Sequence, residues 1–190
     1  MITPELPDPS LFRIETDRLV VRPLQPGDGP QHFRAVLESL PELRRWPASL
    51  RWALEEPSEE GSEGYCRWAA GEFREGRDFA MLLTLRGTGE IVGASGLQDP
   101  DWTVPSFDIG WWGCTGHLGQ GLVTEGARAV LEWGFGTLGA RRVHAAVDEE
   151  NTASWRICER IGMDYEGRMR HNRADPDGQL RNSRLYAAIR

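Results

Sequence analysis

Three glycines, Gly116, Gly119 and Gly121, fall within six residues, just ahead of an apolar run with helical period. That arrangement suits an anion. A helix N-terminus carries unpaired N–H groups and a partial positive charge, which together hold phosphate. Glycines remove the side chains that would keep the anion off the backbone. The run after the turn places Val123, Ala127, Val130 or Leu131, Gly134 and Leu138 three or four apart, as one helix face requires. The run before it, residues 109–112, is apolar and aromatic and reads as a strand. The turn lacks the Lys-Ser/Thr ending of a P-loop and is not G-x-G-x-x-G. By itself it reads equally well as a tight helix start.

A second constellation lies at 151–163: Asn151, Ser154, Arg156, then Arg160-Ile161-Gly162-Met163. Asn151 is a sound helix N-cap. Ser154 stands three residues on, where a capping box would carry Glu or Gln. Ala153, Ile157 and Ile161 form the expected buried stripe of that helix. Asp108, Glu166, His117 and His144 are bases by residue type, and Cys114 is a nucleophile by type with no His or Asp partner near it in sequence.

The segment Gly116-His117-Leu118-Gly119-Gln120-Gly121 resembles the acyl-CoA pyrophosphate loop of the GNAT N-acetyltransferases, Gln/Arg-x-x-Gly-x-Gly/Ala, with Gly116 where the family often has Arg or Gln. Residues 151–163 resemble the family's N-x-x-S-x-[RK] … [KR]-x-G-[FM] element. The stretch Thr16-Asp17-Arg18-Leu19, with Arg22, Leu24 and then Asp28, resembles the opening of the RimJ/RimL branch, whose members include enzymes that acetylate ribosomal-protein N-termini.

The resemblance implies transfer of an acetyl group from acetyl-CoA to a primary amine, by direct attack of the amine in a ternary complex, with no metal. The family-led acceptor is a protein N-terminal α-amine. A small amine (polyamine, aminoglycoside or amino-acid derivative) and a non-catalytic CoA-binding sensor stay open beside it. On this reading Trp112, Gly113, Cys114, His117, Leu118, Gly119, Gln120, Gly121, Leu122, Asn151, Ser154 and Arg156 contact the co-substrate. Ser154 meets the leaving sulfur, and Asp108 serves as base directly or through water. Trp46, Trp52, Trp102 and Glu166 are the candidate acceptor contacts. The branch also implies a homodimer.

Composition narrows the classes. A net charge of −7 disfavours nucleic acid, which needs a basic surface, and suits cationic partners. No apolar run is long enough to span a membrane, and no signal-peptide pattern opens the chain. Cys66, Cys114 and Cys158, an odd number without CxxC spacing, fit a reducing cytoplasm rather than disulfides or zinc.

The elements that must position these groups follow from period and punctuation. An irregular lead-in at 1–12 precedes a single domain at 13–190. One strand is expected at 15–24, helices at 30–40 and 65–74 around an irregular stretch at 41–64, and strands at 79–85 and 91–97. A loop at 99–105 leads to the strand, turn and helix of the glycine segment. A strand at 141–147, the helix at 151–162 and a final pair at 163–169 and 180–189 complete the chain. The sum is an α/β domain with the GNAT fold. A mixed, mostly antiparallel sheet of about seven strands is flanked by about four helices.

Overall fold

The computed structural model describes residues 6–190; residues 1–5 of the expected lead-in lie outside the described residues. In chain order the elements are β1 (Ile14–Glu15), β2 (Leu19–Pro23), α1 (Gly29–Leu43), α2 (Glu59–Glu75), β3 (Phe79–Leu85) and β4 (Ile91–Asp101). Then come β5 (Ser106–Gly113), α3 (Leu122–Gly136), β6 (Arg142–Asp148), α4 (Thr152–Arg160), β7 (Asp164–Ala174) and β8 (Leu180–Ile189). The eight strands form one sheet in the order β1-β2-β3-β4-β5-β6-β8-β7. Every neighbouring pair is antiparallel except β5 with β6.

Alternation along β3 divides the core. Phe79, Met81 and Leu83 face α3, whose Ala127, Val130 and Leu131 share their cluster. Ala80 and Leu82 face the other way, against Ala35 of α1 and Cys66 and Ala69 of α2. Helix α4 covers the α3 face farther along, over β6 and β7. The lead-in from residue 6 is irregular but anchored. Phe12 lies with its ring centroid 5.2 Å from that of Trp133, and Gln25 donates to the Pro9 carbonyl.

The expected strand at 15–24 is instead a hairpin, because Thr16 closes a tight turn with Leu19 through both N–H and Oγ1. Hence the sheet has eight strands. Helix α2 starts at Glu59, not 65. Ser58 caps it by accepting from Gly61 N, and Glu59 and Glu60 fill its first turn. The glycines at 61 and 64 made this start look like loop. Strand β4 runs on to Asp101 and β7 to Ala174, both beyond their expected ends, each across an irregularity in register. In α4 the buried stripe is rotated from the expected one. Cys158 and Ile161 are buried, Ser154 is half-buried and Ala153 is exposed.

One close approach fixes β5 against its neighbour. Gly93 sits opposite Gly113 with φ +155, and a Cβ there would lie 2.3 Å from the Trp112 carbonyl oxygen and 3.0 Å from Gly113 Cα. Gly93→Ala is therefore expected to cost about 1–3 kcal/mol, a fall in Tm of about 2–12 °C for a chain of this size. Gly71→Ala, in a helix with nothing near the added methyl, should instead hold or raise Tm. Thermal melts of the two variants check both signs.

Candidate active site

Strands β5 and β6 pair only over Ser106–Asp108 with Arg142–His144. Beyond that point they part, and residues 109–113 of β5 have no partner on that side. Cys114 N donates to Val92 O on β4. By alternation the N–H groups of Trp112 also turn to β4, while those of Trp111 and Gly113 face the wedge. An extended ligand laid in the wedge meets them as a further strand would.

A cavity of about 620 Å³ occupies the wedge and continues beneath α1 and the 41–64 segment. It is walled by residues 109–112 of β5, residues 145–148 of β6, and Asn151 and Ser154 of α4. Trp46, Trp52, Val36, Leu40 and Leu50 make its apolar end; Asp108, Glu55, Glu56 and Arg173 make it polar. Of the residues singled out from sequence, the fold brings Trp46, Trp52, Asp108, Trp112, Asn151 and Ser154 to this one space.

The glycine turn follows directly. Gly119 and Gly121 both have φ +76, so each needs the left-handed region that glycine enters without strain. Helix α3 starts after Gly121 with no side-chain cap among the described residues, as α1 does after Asp28, whereas Asn151 caps α4 and Ser58 caps α2. Its first-turn amides are thus left for a ligand. Nothing lies within 4 Å of a Cβ built on Gly116, so the shortened position is open space. His117 pairs with Glu90 at 2.9 Å, Leu118 is exposed, and Gln120 reaches back to the Gly116 carbonyl.

A clamp from the chain's opening holds the turn. Arg18 donates from Nη1 to the Gln120 carbonyl (2.9 Å) and from Nε to Glu125 Oε2 (2.7 Å). Thr16 Oγ1 and Arg18 N both donate to Glu125 Oε1. These bonds hold the Glu125 carboxyl below its usual range against the opposing effect of burial. The Thr16-Asp17-Arg18-Leu19 motif thus acts on a loop about a hundred residues away. Nearby, Arg22 grips Asp28 with two bonds of 2.7 and 2.8 Å, which fixes the start of α1.

The titratable groups separate by burial. Burial pushes the Asp108 carboxyl above the ordinary carboxylate range, against the pull of His144 and Arg173. Burial likewise pushes the Cys114 thiol up to about 12, and its Sγ lies 3.2 Å from the Ile91 carbonyl. At neutral pH that sulfur is a thiol, not a nucleophile. Two of the expected acceptor contacts lie elsewhere. Trp102 packs on Phe79 and Phe107, with its N–H on the Gly76 carbonyl. Glu166 is held by both Nη atoms of Arg142. Arg156 is exposed on α4, over the Trp155 ring.

Two cavity residues were not legible as site residues. Trp111 donates from Nε1 to Ser154 Oγ at 3.0 Å, although the sequence offered it only as part of an apolar strand. His32 of α1 lines the cavity beside Trp112, 7% exposed, its Nδ1 buried without a partner among the described residues. Burial lowers its pKa, so it is neutral at pH 7. Strand alternation was the one available signal, since it sends Trp111 and Trp112 to opposite faces. Among the described residues no cluster of His, Cys, Asp and Glu could hold a metal ion, and no helix is long and apolar enough to cross a membrane.

Comparisons with known proteins agree with this geometry. The family described as "Acetyltransferase (GNAT) domain" matches residues 18–164. The N-acetyltransferase YoaA of Bacillus subtilis (strain 168), itself uncharacterized, is 28% identical over 158 residues, covering 83% of this chain and 85% of its own. Among solved structures, the ribosomal L7/L12 alpha-N-protein acetyltransferase RimL, in complex with coenzyme A, superposes with a TM-score of 0.85 at 20% identity, over 94% of this chain and 98% of its own. RimJ of Mycobacterium smegmatis, in complex with CoA-disulfide, gives 0.79 at 24% identity, over 90% and 81%. The wedge, the uncapped α3 and these matches lead to one assignment: the chain belongs to the GNAT family as an acetyl-CoA-dependent N-acetyltransferase, similar to the RimJ/RimL branch.

Proposed function

We propose that the acceptor is the N-terminal α-amine of a protein, which attacks the thioester of acetyl-CoA in a ternary complex without an acyl-enzyme. The observation that carries this reading is the character of the base. The proton acceptors that line the cavity are carboxylates, Asp108 among them, and the neutral His32 imidazole, both types far less basic than a lysine amine, and the Cys114 thiol is protonated and spoken for. An α-amine near pKa 7.8 is neutral in about one molecule of seven at pH 7, whereas a lysine amine near 10.4 is neutral in about one of 2,500. A weak base therefore suffices for the first and not for the second. The apolar end of the cavity, between Trp46, Trp52 and Leu50, accommodates the residues that follow the amine. The likeness to RimL, described as a ribosomal L7/L12 alpha-N-protein acetyltransferase, supports the same acceptor class. A cytoplasmic homodimer completes the proposal. A screen of thiol release should find turnover with α-amine peptides at least tenfold above that with their N-acetylated, lysine-bearing counterparts or with polyamines. The reverse order would overturn the acceptor class, and binding of CoA without turnover on any amine would favour a sensor.

In this reaction Ser154 hydrogen-bonds the departing sulfur, while Asn151 caps α4 through the Ser154 N–H (3.1 Å) and borders the pantetheine arm. Ser154→Ala should lower kcat and kcat/KM together by about ten- to a thousand-fold with acetyl-CoA affinity nearly unchanged, since such a bond strengthens only as the transition state forms. Asn151→Ala should raise the KM for acetyl-CoA and remove about 1 kcal/mol of stability. Steady-state kinetics with wild-type kcat in Ser154→Ala, where chemistry limits turnover, would end that role.

Asp108 yields a prediction of opposite signs. Its folded pKa is raised, so the folded chain binds that proton more tightly than the unfolded one. Stability then falls as pH rises from the unfolded value near 3.9 through the raised folded value, and stays reduced above it. Asp108→Asn should therefore raise Tm at pH 7, with the gain shrinking as pH is lowered. The same variant should lose the acid limb of the kcat/KM profile and most of the activity. Melts across pH and a pH–rate profile test both; a lowered Tm at pH 7 with activity intact would refute the assignment.

A further inference from the structure

Ser154 holds an unusual set of bonds for a first-turn helix serine. Its N–H is taken by the Asn151 cap, and its Oγ accepts from the Trp111 indole at 3.0 Å. A serine there ordinarily donates its hydroxyl proton back to a carbonyl one turn earlier or rotates among partners. With the indole N–H filling one lone pair, the side-chain rotamer is pinned between β5 and α4. The hydroxyl proton has no acceptor among the described residues, and both side chains line the wedge. Nearby indoles underline the contrast. Trp133 and Trp155 leave their buried N–H groups without a partner among the described residues, so an indole here does not capture a serine by default.

We infer that Trp111 is a positioning residue for leaving-group departure, a role that rests on the reading of Ser154 above. The indole N–H holds Oγ as an acceptor and turns the hydroxyl proton toward the sulfur. Donating to Oγ also polarises the O–H and strengthens its outgoing bond. In the transfer itself the amine nitrogen bonds to the thioester carbonyl carbon, and the C–S bond breaks with its electron pair passing to sulfur. Ser154 hydrogen-bonds the thiolate as that charge forms. The proton lost by the amine goes to Asp108 or water, and the thiolate is protonated from solvent. Trp111 keeps its N–H throughout and touches no reacting atom.

The position on the strand explains why this residue and not Trp112 does so. Trp111 points to the α3 and α4 face, where Ser154 lies, while Trp112 points to the α1 face beside His32 and Trp52.

Trp111→Phe keeps a ring in the wall and deletes the donor. Its kcat should fall about tenfold with the KM for acetyl-CoA within about twofold. The double variant with Ser154→Ala should be no slower than Ser154→Ala alone, because the two residues act as one unit. Thiol release is read both with the best amine of the acceptor screen and with water as the slow acceptor. Fold stability is followed separately by melting. Independently of activity, indole ¹⁵N–¹H spectra of the full chain should show that the resonance missing in Trp111→Phe moves in Ser154→Ala. Additive losses, an unchanged kcat in Trp111→Phe, or an indole resonance indifferent to Ser154→Ala would each overturn the inference. Loss in Ser154→Ala without loss in Trp111→Phe would remove Trp111 alone, and a different acceptor class would leave both residues' roles standing.

Discussion

The site depends on a parallel pairing that is kept to three residues on each strand. A buried strand edge with unpaired N–H and C=O groups is costly, so the parting of β5 and β6 must be enforced. The far end of β6 is held to β8. Arg181 grips Asp148 with two bonds of 3.0 Å, and Asp148 is only 4% exposed. Those bonds raise the Arg181 pKa, with Glu150 adding to them. The far end of β5, at Gly113, is held to β4 by the close approach at Gly93. Each strand has its partner on the outer side, and the gap between them is what remains. Its open amides are reserved for a ligand that can pair like backbone.

The same economy governs the phosphate end. An overall charge of −7 repels a polyanion, and Glu125 stands in the first turn of the helix that should receive it. Arg18 resolves the conflict by pairing with Glu125 and the Gln120 carbonyl together. Recognition is left to backbone amides and the helix dipole, with Gly116 contributing no side chain of its own. A loop built this way draws its affinity from geometry, and the clamp that fixes the geometry comes from the hairpin at the start of the chain.

That long-range clamp shows where sequence reading stops. The glycine turn, the Asn151 cap and the strand–helix order were legible because each is a local preference written in neighbouring residues. Thr16 and Arg18 were visible as a motif, but their target lies 109 and 107 residues on, and nothing local names it. Trp102 and Glu166 were misleading for the same reason. An aromatic in a loop and a carboxylate by a glycine look like site residues until packing gives one to Phe107 and the other to Arg142. The start of helix α2 is obscured in the sequence because Ser58, Glu59 and Glu60 favour a helix start just where Gly61 and Gly64 argue against one.

Alternation along β5 then does something that composition could not reveal. Asp108, Gly110 and Trp112 lie on the α1 face of the sheet, Trp112 at the apolar end of the cavity, while Ile109 and Trp111 look toward α3 and α4. In the proposed reaction the amine arrives from the first side, and the sulfur departs on the second, beside Ser154. Proton removal and leaving-group support fall on opposite faces of one sheet and meet only across the wedge. A buried carboxylate and a hydroxyl donor on a single face would bond to each other and neutralise both roles. Separated by the strand, each stays available to the substrate atom it faces, and the gap between β5 and β6 is the one place where the two can act on a single carbonyl.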